Sequence, residues 1–237
     1  MPNKLASARL FLFGGNGRGS DVKVTALRLQ ARNKSRVNVY LDGKYGFPLA
    51  KIVAARLHIG QELDDAAIAK LRGTDDEEKA YEKALKFLAP RMRSEAEVRK
   101  RLTQHKLAPE LIDGVIARLT RAGLLNDKEF ASYWVENRST FRPRSTRVLR
   151  AELRQKGLGE AEVRAALTGA NDNEAAYALG AKRVRRFAAL PKPEFRRKLG
   201  EFLARRGFSY DIIEPVVERL WTEHGSGEAG DDPGYLD

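Results

Sequence analysis

The stretch that decides the fold is Gly123-Leu-Leu-Asn126-Asp127-Lys128-Glu129-Phe130-Ala131-Ser-Tyr133-Trp134-Val135-Glu-Asn-Arg138. Gly123 can close a helix in the left-handed conformation, and Asn126 can cap the next one. Glu129 stands three residues past Asn126, the spacing of a capping box. Phe130, Trp134 and Phe141, with Ala131 and Val135 beside them, form an apolar stripe at helical spacing and predict a core face. Arg138 falls on or beside that stripe, placed to pair with a glutamate or to cover an aromatic ring. Arg142, Pro143 and Arg144 then end the helix in a basic corner. The junction reads as a hinge between two copies of one helical unit.

Working outward, the copies can be counted. Leu102, Leu153 and Leu203 are 51 and 50 residues apart. Lys106, Gly157 and Gly207 take a turn four positions later, followed by Leu107, Leu158 and Phe208. Ile112, Val163 and Ile213 then hold the same place in the next helix. Three helices per period of about 50 residues predict a tandem array in which each unit covers its neighbour's open face. In the first unit, Asp75 reads as a cap with Glu78 closing its box, and Tyr81, Ala84, Leu85 and Leu88 form the buried face. Ser94 and Glu97 form a second box ahead of Val98 and Leu102. Pro109 suits the first position of a third helix bearing Ile112, Val115, Ile116 and Leu119. The second unit's middle helix starts near Ser145, buries Val148, Leu149 and Leu153, and stops at Gly157; a short helix with Val163, Ala166 and Leu167 follows. The third unit is expected to place helices at 174–188, 193–206 and 209–221, the last tightened or kinked by Pro215.

Toward the N-terminus the hydrophobic period drops to two. Thr25, Leu27 and Leu29 share one face of a strand, with Ala26 and Arg28 on the other, and Val37, Val39 and Leu41 alternate after a polar turn. Asp42-Gly43 is a two-residue hairpin signal leading to Tyr45-Gly-Phe47. So small a sheet must pack on helices, expected at 50–57 and, behind an Asp64 or Asp65 cap, at 64–71. The glycine-rich run 13–20 lacks the spacing of a phosphate-binding loop. The expected fold is mainly α: three tandem tri-helical repeats in an elongated, curved array, with a small N-terminal antiparallel β-meander. The expected divisions are a disordered leader (1–22), the meander with its helices (23–73), repeats at 74–124, 125–171 and 172–222, and a disordered acidic tail (223–237).

A net charge of +12 and a pI near 9.9 favour an anionic partner: nucleic acid, an acidic protein surface or anionic lipid. With no cysteine, disulfides and thiolate metal sites are excluded. The three histidines are isolated from one another, and no nucleophile–histidine–acid spacing, metal cluster or nucleotide loop is present. Acid pairs such as Asp64-Asp65 and Asp75-Asp76 sit where helix starts favour negative charge. A non-enzymatic monomer without cofactor or metal is expected. The N-terminal apolar run is too short for a signal sequence and nothing reaches a membrane-spanning length, so the expected compartment is the cytoplasm.

Between Arg91 and Lys156 there are sixteen lysines and arginines against eight acids. Arg147, Arg150 and Arg154 recur at helical spacing on one face. Arg142 and Arg144 extend it across the Pro143 corner, and Lys156 follows it. Lys182, Arg183 and Arg186, then Arg197, repeat the theme in the third unit. These ten side chains are the candidate partner-binding residues, facing either an acidic groove or a phosphate backbone.

The same segments resemble a known family. Arg93-Ser94-Glu-Ala-Glu97-Val98 with Leu102 is similar to the opening signature of the RecX regulatory proteins. Gly123-Leu-Leu-Asn-Asp127 with Phe130-Ala131, Trp134 and Arg138 resembles that family's most recognisable segment. Glu152-Leu153-Arg-Gln-Lys156-Gly157-Leu158 and Arg205-Arg206-Gly207-Phe208-Ser209 resemble its second and third units. Arg36-Val-Asn-Val-Tyr-Leu-Asp-Gly43 is similar to the N-terminal extension of longer members. The resemblance implies a modulator of the RecA recombinase that binds in the groove of the RecA filament on single-stranded DNA. Such a protein would restrain filament growth, ATP hydrolysis and strand exchange. The alternative from the residues alone is a stand-alone DNA-binding protein built of helix-turn-helix-like units.

Overall fold

Asp42 and Gly43 both take positive φ, 48° and 79°, the conformation a tight two-residue hairpin needs. They join β2 (Arg36–Leu41) to β3 (Lys44–Ala50), and β1 (Val22–Leu29) lies on the other side of β2. The structure, a computed structural model, describes residues 21–225. The expected leader and acidic tail therefore lie almost wholly outside the described residues. The chain divides into two units, at Tyr81/Glu82.

In the first unit, a short α1 (Lys51–Ala54) replaces the helix expected over 50–57. A fourth strand, β4 (Glu62–Leu63), joins β1 to give the antiparallel order β3-β2-β1-β4. Val24, Val37, Val39, Phe47 and Leu49 are buried together with Val53, Leu57 and Leu63. Ala67, Ile68 and Leu71 from α2 (Asp65–Leu88) pack against them. The expected face of β1 is corrected at its start: a register irregularity between Val24 and Ala26 leaves Val24 buried and Thr25 exposed, while Leu27 and Leu29 stay on one face opposite Val39 and Val37.

A second correction concerns α2. Two helices were expected, with a break between Leu71 and an Asp75 cap; one helix of 24 residues runs through Gly73 instead. A glycine inside a helix costs only about 1 kcal/mol, so it does not force a break. Asp75 is buried and acts as a cross-link. Its carboxylate accepts from the Arg36 guanidinium at 2.9 and 3.1 Å and from the Ala50 N–H at 2.6 Å, and pairs with Lys79 at 2.9 Å. Asp64 does cap this helix, accepting from the Ala67 N–H.

The second unit continues with α3 (Glu95–Gln104), α4 (Pro109–Arg121), α5 (Asp127–Phe141), α6 (Thr146–Gln155), α7 (Glu160–Ala166), α8 (Asp172–Val184), α9 (Lys192–Ala204) and α10 (Tyr210–His224). Both halves of the Ser94–Glu97 capping box are made. Asn126 accepts from the N–H groups of Lys128 and Glu129. Pro109 opens α4, and Gly123 turns at φ 68°. The repeated turn position is left-handed each time, at Lys106 (58°), Gly157 (85°) and Gly207 (92°). Pro215 lies within α10, where the N–H groups of Ile212 and Ile213 both donate to the Ser209 carbonyl, a tightened first turn.

Separate apolar cores follow from this spacing. Phe130, Leu149, Leu153, Leu158 and Val163 form one; Phe195, Leu199, Leu203, Phe208, Ile213 and Leu220 form another. Phe141 departs from the expected stripe and is 74% exposed. It is the last residue of α5, so it falls on the stripe in angle but has run past the side chains that cover Phe130. Polar contacts link one block of helices to the next. The Ser94 hydroxyl donates to the Lys156 carbonyl at 2.6 Å, and the Ser145 hydroxyl to the Gly207 carbonyl at 2.7 Å, each across 62 residues. Asp127 accepts from the Glu95 N–H, and Asp172 likewise from the Thr146 N–H and hydroxyl.

Candidate partner interface

Ser145 caps α6 and fixes its phase, so Leu149 and Leu153 point into the core and Arg147 and Arg154 point outward. The arginines on this face are held at their tips. Arg150 pairs with Glu160 at 2.7 Å, and Arg154 pairs with the same carboxylate. The Arg154 hydrogen bond, with the charges of Arg150 and Arg164, holds Glu160 below its ordinary carboxylate range. Arg147 reaches the Gly207 carbonyl at 3.3 Å. Glu160, at the first position of α7, thus offsets part of the positive charge of the α6 stripe.

Around the Pro143 corner the expected residues separate. Arg142 is exposed at the end of α5, while Arg144 turns back toward Glu152 at 3.4 Å. Glu152 also accepts from the Trp134 indole N–H and from Arg138, both at 2.8 Å. Arg138 lies over the Trp134 ring at 4.3 Å, so it both pairs with a glutamate and covers an aromatic face. Lys156 is drawn away from the stripe. Its ammonium sits 2.8 Å from Glu97 and 5.0 Å from the centre of the Trp134 ring.

The third block holds a basic cleft of about 520 Å³, lined by Arg183, Arg186, Lys198 and Arg205 around Phe187, Leu190 and Phe202, with Glu201 as the single acid. Arg183 and Arg206 flank the Phe202 ring at 5.1 and 5.4 Å. Lys182 is exposed on α8 outside the cleft lining, and Arg197 pairs with Glu201 at 3.1 Å. Phe87 is flanked similarly, by Arg93 at 4.2 Å and Arg101 at 5.8 Å. An aromatic ring between two cations therefore recurs at Phe87, Trp134 and Phe202. Cations so placed have their stems ordered by packing while their heads stay near water, which suits them to meet an anion. Charge spacing within one helix could not reveal Arg205 or Phe202 as part of the cleft, because α8 and α9 meet only through tertiary packing. The described residues hold no cluster of side chains suited to a metal ion and no helix long and apolar enough to cross a membrane.

Like three-helix blocks with repeated polar joints, following a small sheet in the chain, define a tandem helical-repeat protein. The chain belongs to the RecX family. It matches the RecX N-terminal domain over residues 22–64 and the first, second and third RecX three-helix domains over 80–119, 126–167 and 171–217. The regulatory protein RecX of Limosilactobacillus reuteri is 32% identical over 203 residues, spanning 84% of this chain and 76% of that protein. That of Bacillus subtilis is 31% identical over 206 residues, spanning 85% and 78%. A crystal structure of regulatory protein RecX is similar with a TM-score of 0.67 and 32% identity, over 83% of this chain and 99% of that one. The structure of RecX from Lactobacillus salivarius gives 0.55 and 27%, over 62% and 97%.

Proposed function

We propose that this chain is a non-enzymatic regulator of the RecA recombinase, acting in the cytoplasm within DNA repair, recombination and the SOS response. As a monomer it lodges in the groove of the RecA filament on single-stranded DNA and restrains filament growth, ATP hydrolysis and strand exchange. The blocks at 74–124, 125–171 and 172–222 act together as the binding body. Membership of the RecX family supports the reading, and the observation that carries it is the run of cation-flanked aromatic rings and the basic cleft at Arg183 and Arg186. An acidic groove or a phosphate backbone would meet Arg142, Arg147, Lys182, Arg183 and Arg186 first, since these make the fewest carboxylate contacts.

The test mixes purified protein with RecA, single-stranded DNA and ATP. ATP hydrolysis should fall, and Arg183→Glu with Arg186→Glu should restore most of it. No change at equimolar protein sinks the proposal. A second reading, direct DNA binding without RecA, draws on the same cleft. It predicts a salt slope of about −0.7 per phosphate contact on single strands.

A further inference from the structure

The sheet of the first unit has a face that its core does not use. Val24, Val37, Val39, Phe47 and Leu49 fill the inner side. The register sets Arg28 opposite Asn38, Ala26 opposite Tyr40, and Tyr40 opposite Tyr45 on the outer side. There the Arg28 guanidinium lies 5.0 Å from the centre of the Tyr40 ring. The Tyr40 and Tyr45 rings meet edge to face at 6.0 Å, and Tyr45 is 57% exposed. Beside them the Gln30 amide donates to the Asn38 side-chain oxygen at 2.8 Å, leaving further amide donors and acceptors on the same face.

Positive charge predominates around this face, with Glu62 of β4 standing opposite Lys23 as an exposed acid. Lys23, Arg28, Arg32, Lys34 and Lys44 are all exposed. Residues 21–50 contain two acids, Asp21 and Asp42, and Asp42 accepts a hydrogen bond from the Lys23 N–H. An exposed Tyr45 ring beside a half-buried Tyr40 ring, on an antiparallel sheet bordered by cations, offers stacking for unpaired bases and neutralisation for the phosphates between them. A duplex keeps its base faces stacked inside and cannot use the rings.

We propose that the outer face of β1–β3 binds single-stranded nucleic acid. One base stacks on Tyr45 and a neighbour packs at the Tyr40–Arg28 pair. Lys23 takes the backbone, and the Gln30 and Asn38 amides meet base edges. The proposal stands apart from the filament reading, because its test contains no recombinase.

The full chain is titrated into a fluorescein-labelled 20-nucleotide oligo(dT), and into a duplex of equal length, in physiological salt. Single strands should bind several-fold tighter than duplex. The Tyr40→Ala, Tyr45→Ala double variant should bind single strands about tenfold or more weaker, given what one base–ring stack contributes. The double Tyr→Phe variant should stay within about twofold, and thermal melting reports whether each variant is folded. Bromodeoxyuridine-substituted oligonucleotide irradiated with the unmodified protein should crosslink within residues 38–48. Unchanged affinity in the folded double-alanine variant overturns the proposal, as does a preference for duplex. Should that variant fail to fold, crosslinks confined to residues beyond 81 overturn it on the unmodified chain.

Discussion

The Lys156 ammonium lies 2.8 Å from the Glu97 carboxylate, whereas Arg206 and Val148 stand at the matching positions one period later. The two equivalent joints are therefore built differently: the first has a carboxylate to pair with its lysine, and the second has Val148 in that carboxylate's place. Burial pushes Glu97 upward, but hydrogen bonds from Arg91, Lys156 and the Ser94 N–H outweigh it and hold the carboxyl at about 2 against an ordinary 4.5. A carboxyl lowered on folding stabilises fully above its unfolded value and loses that contribution as pH falls through its folded one. Stability should therefore fall between about pH 4.5 and 2, by at most about 3 kcal/mol from this group. Asp127, raised mainly by burial, works in the opposite sense over its own range. Urea midpoints measured across pH 2–6 check this: Glu97→Gln should start lower at neutral pH and show a flatter acid limb.

The same joints predict which glycines cannot be replaced. A Cβ on Gly157 would fall on the Cβ of Ala96, and one on Gly207 would fall on the side chain of Val148. Both residues also take positive φ, which opposes any side chain. Gly157→Ala and Gly207→Ala should each cost about 2–4 kcal/mol, from left-handed strain plus overpacking. Lys106 fills the matching turn in the first block, so Lys106→Gly should change stability by less than about 1 kcal/mol. Chemical denaturation of the three variants decides the point.

These joints also mark how far the sequence could be read. The leucine–turn–isoleucine period, the Ser94–Glu97 box and the Asn126 cap were legible because each depends on residues within one or two helical turns. The second task of Ser94 and Ser145, donating across 62 residues to a backbone carbonyl, was not, since a cap and a cross-link need the same hydroxyl. Phe141 was misplaced for a related reason: periodicity gives an angle around the helix but not where the neighbouring core ends. The ten candidate cations show the same division. Their helix faces follow from spacing, but the partners Glu160, Glu152 and Glu97 come from other helices or other blocks.

Asp75 illustrates a local signal overruled by packing, and its removal should be costly. Asp75→Ala leaves the Arg36 guanidinium, whose side chain is 12% exposed, and the Ala50 N–H without their acceptor. Breaking a buried pair in this way costs about 3–5 kcal/mol. Asp75→Asn keeps an acceptor and should cost less. Urea unfolding followed by circular dichroism would show the difference, and a loss below about 1 kcal/mol for alanine would mean that the cross-link contributes little.

Glu160 gives the sharpest test of the α6 face, because it can be removed without touching a cation. Its side chain pairs with both Arg150 and Arg154 from the first position of α7 and is itself 41% exposed, so the fold loses little with it. Glu160→Gln would release two guanidinium groups and add one unit of positive charge to the stripe. If that stripe meets an anionic partner, affinity for the RecA filament on single-stranded DNA should rise about two- to fivefold at low salt and converge with the unmodified protein as salt screens the field. Charge reversal at Arg147, Arg150 and Arg154 should have the opposite sign and a larger size. Were Glu160→Gln and the triple reversal both to leave filament binding unchanged, α6 would face solvent in the complex, and the basic cleft at Arg183 and Arg186 would have to supply the contact alone.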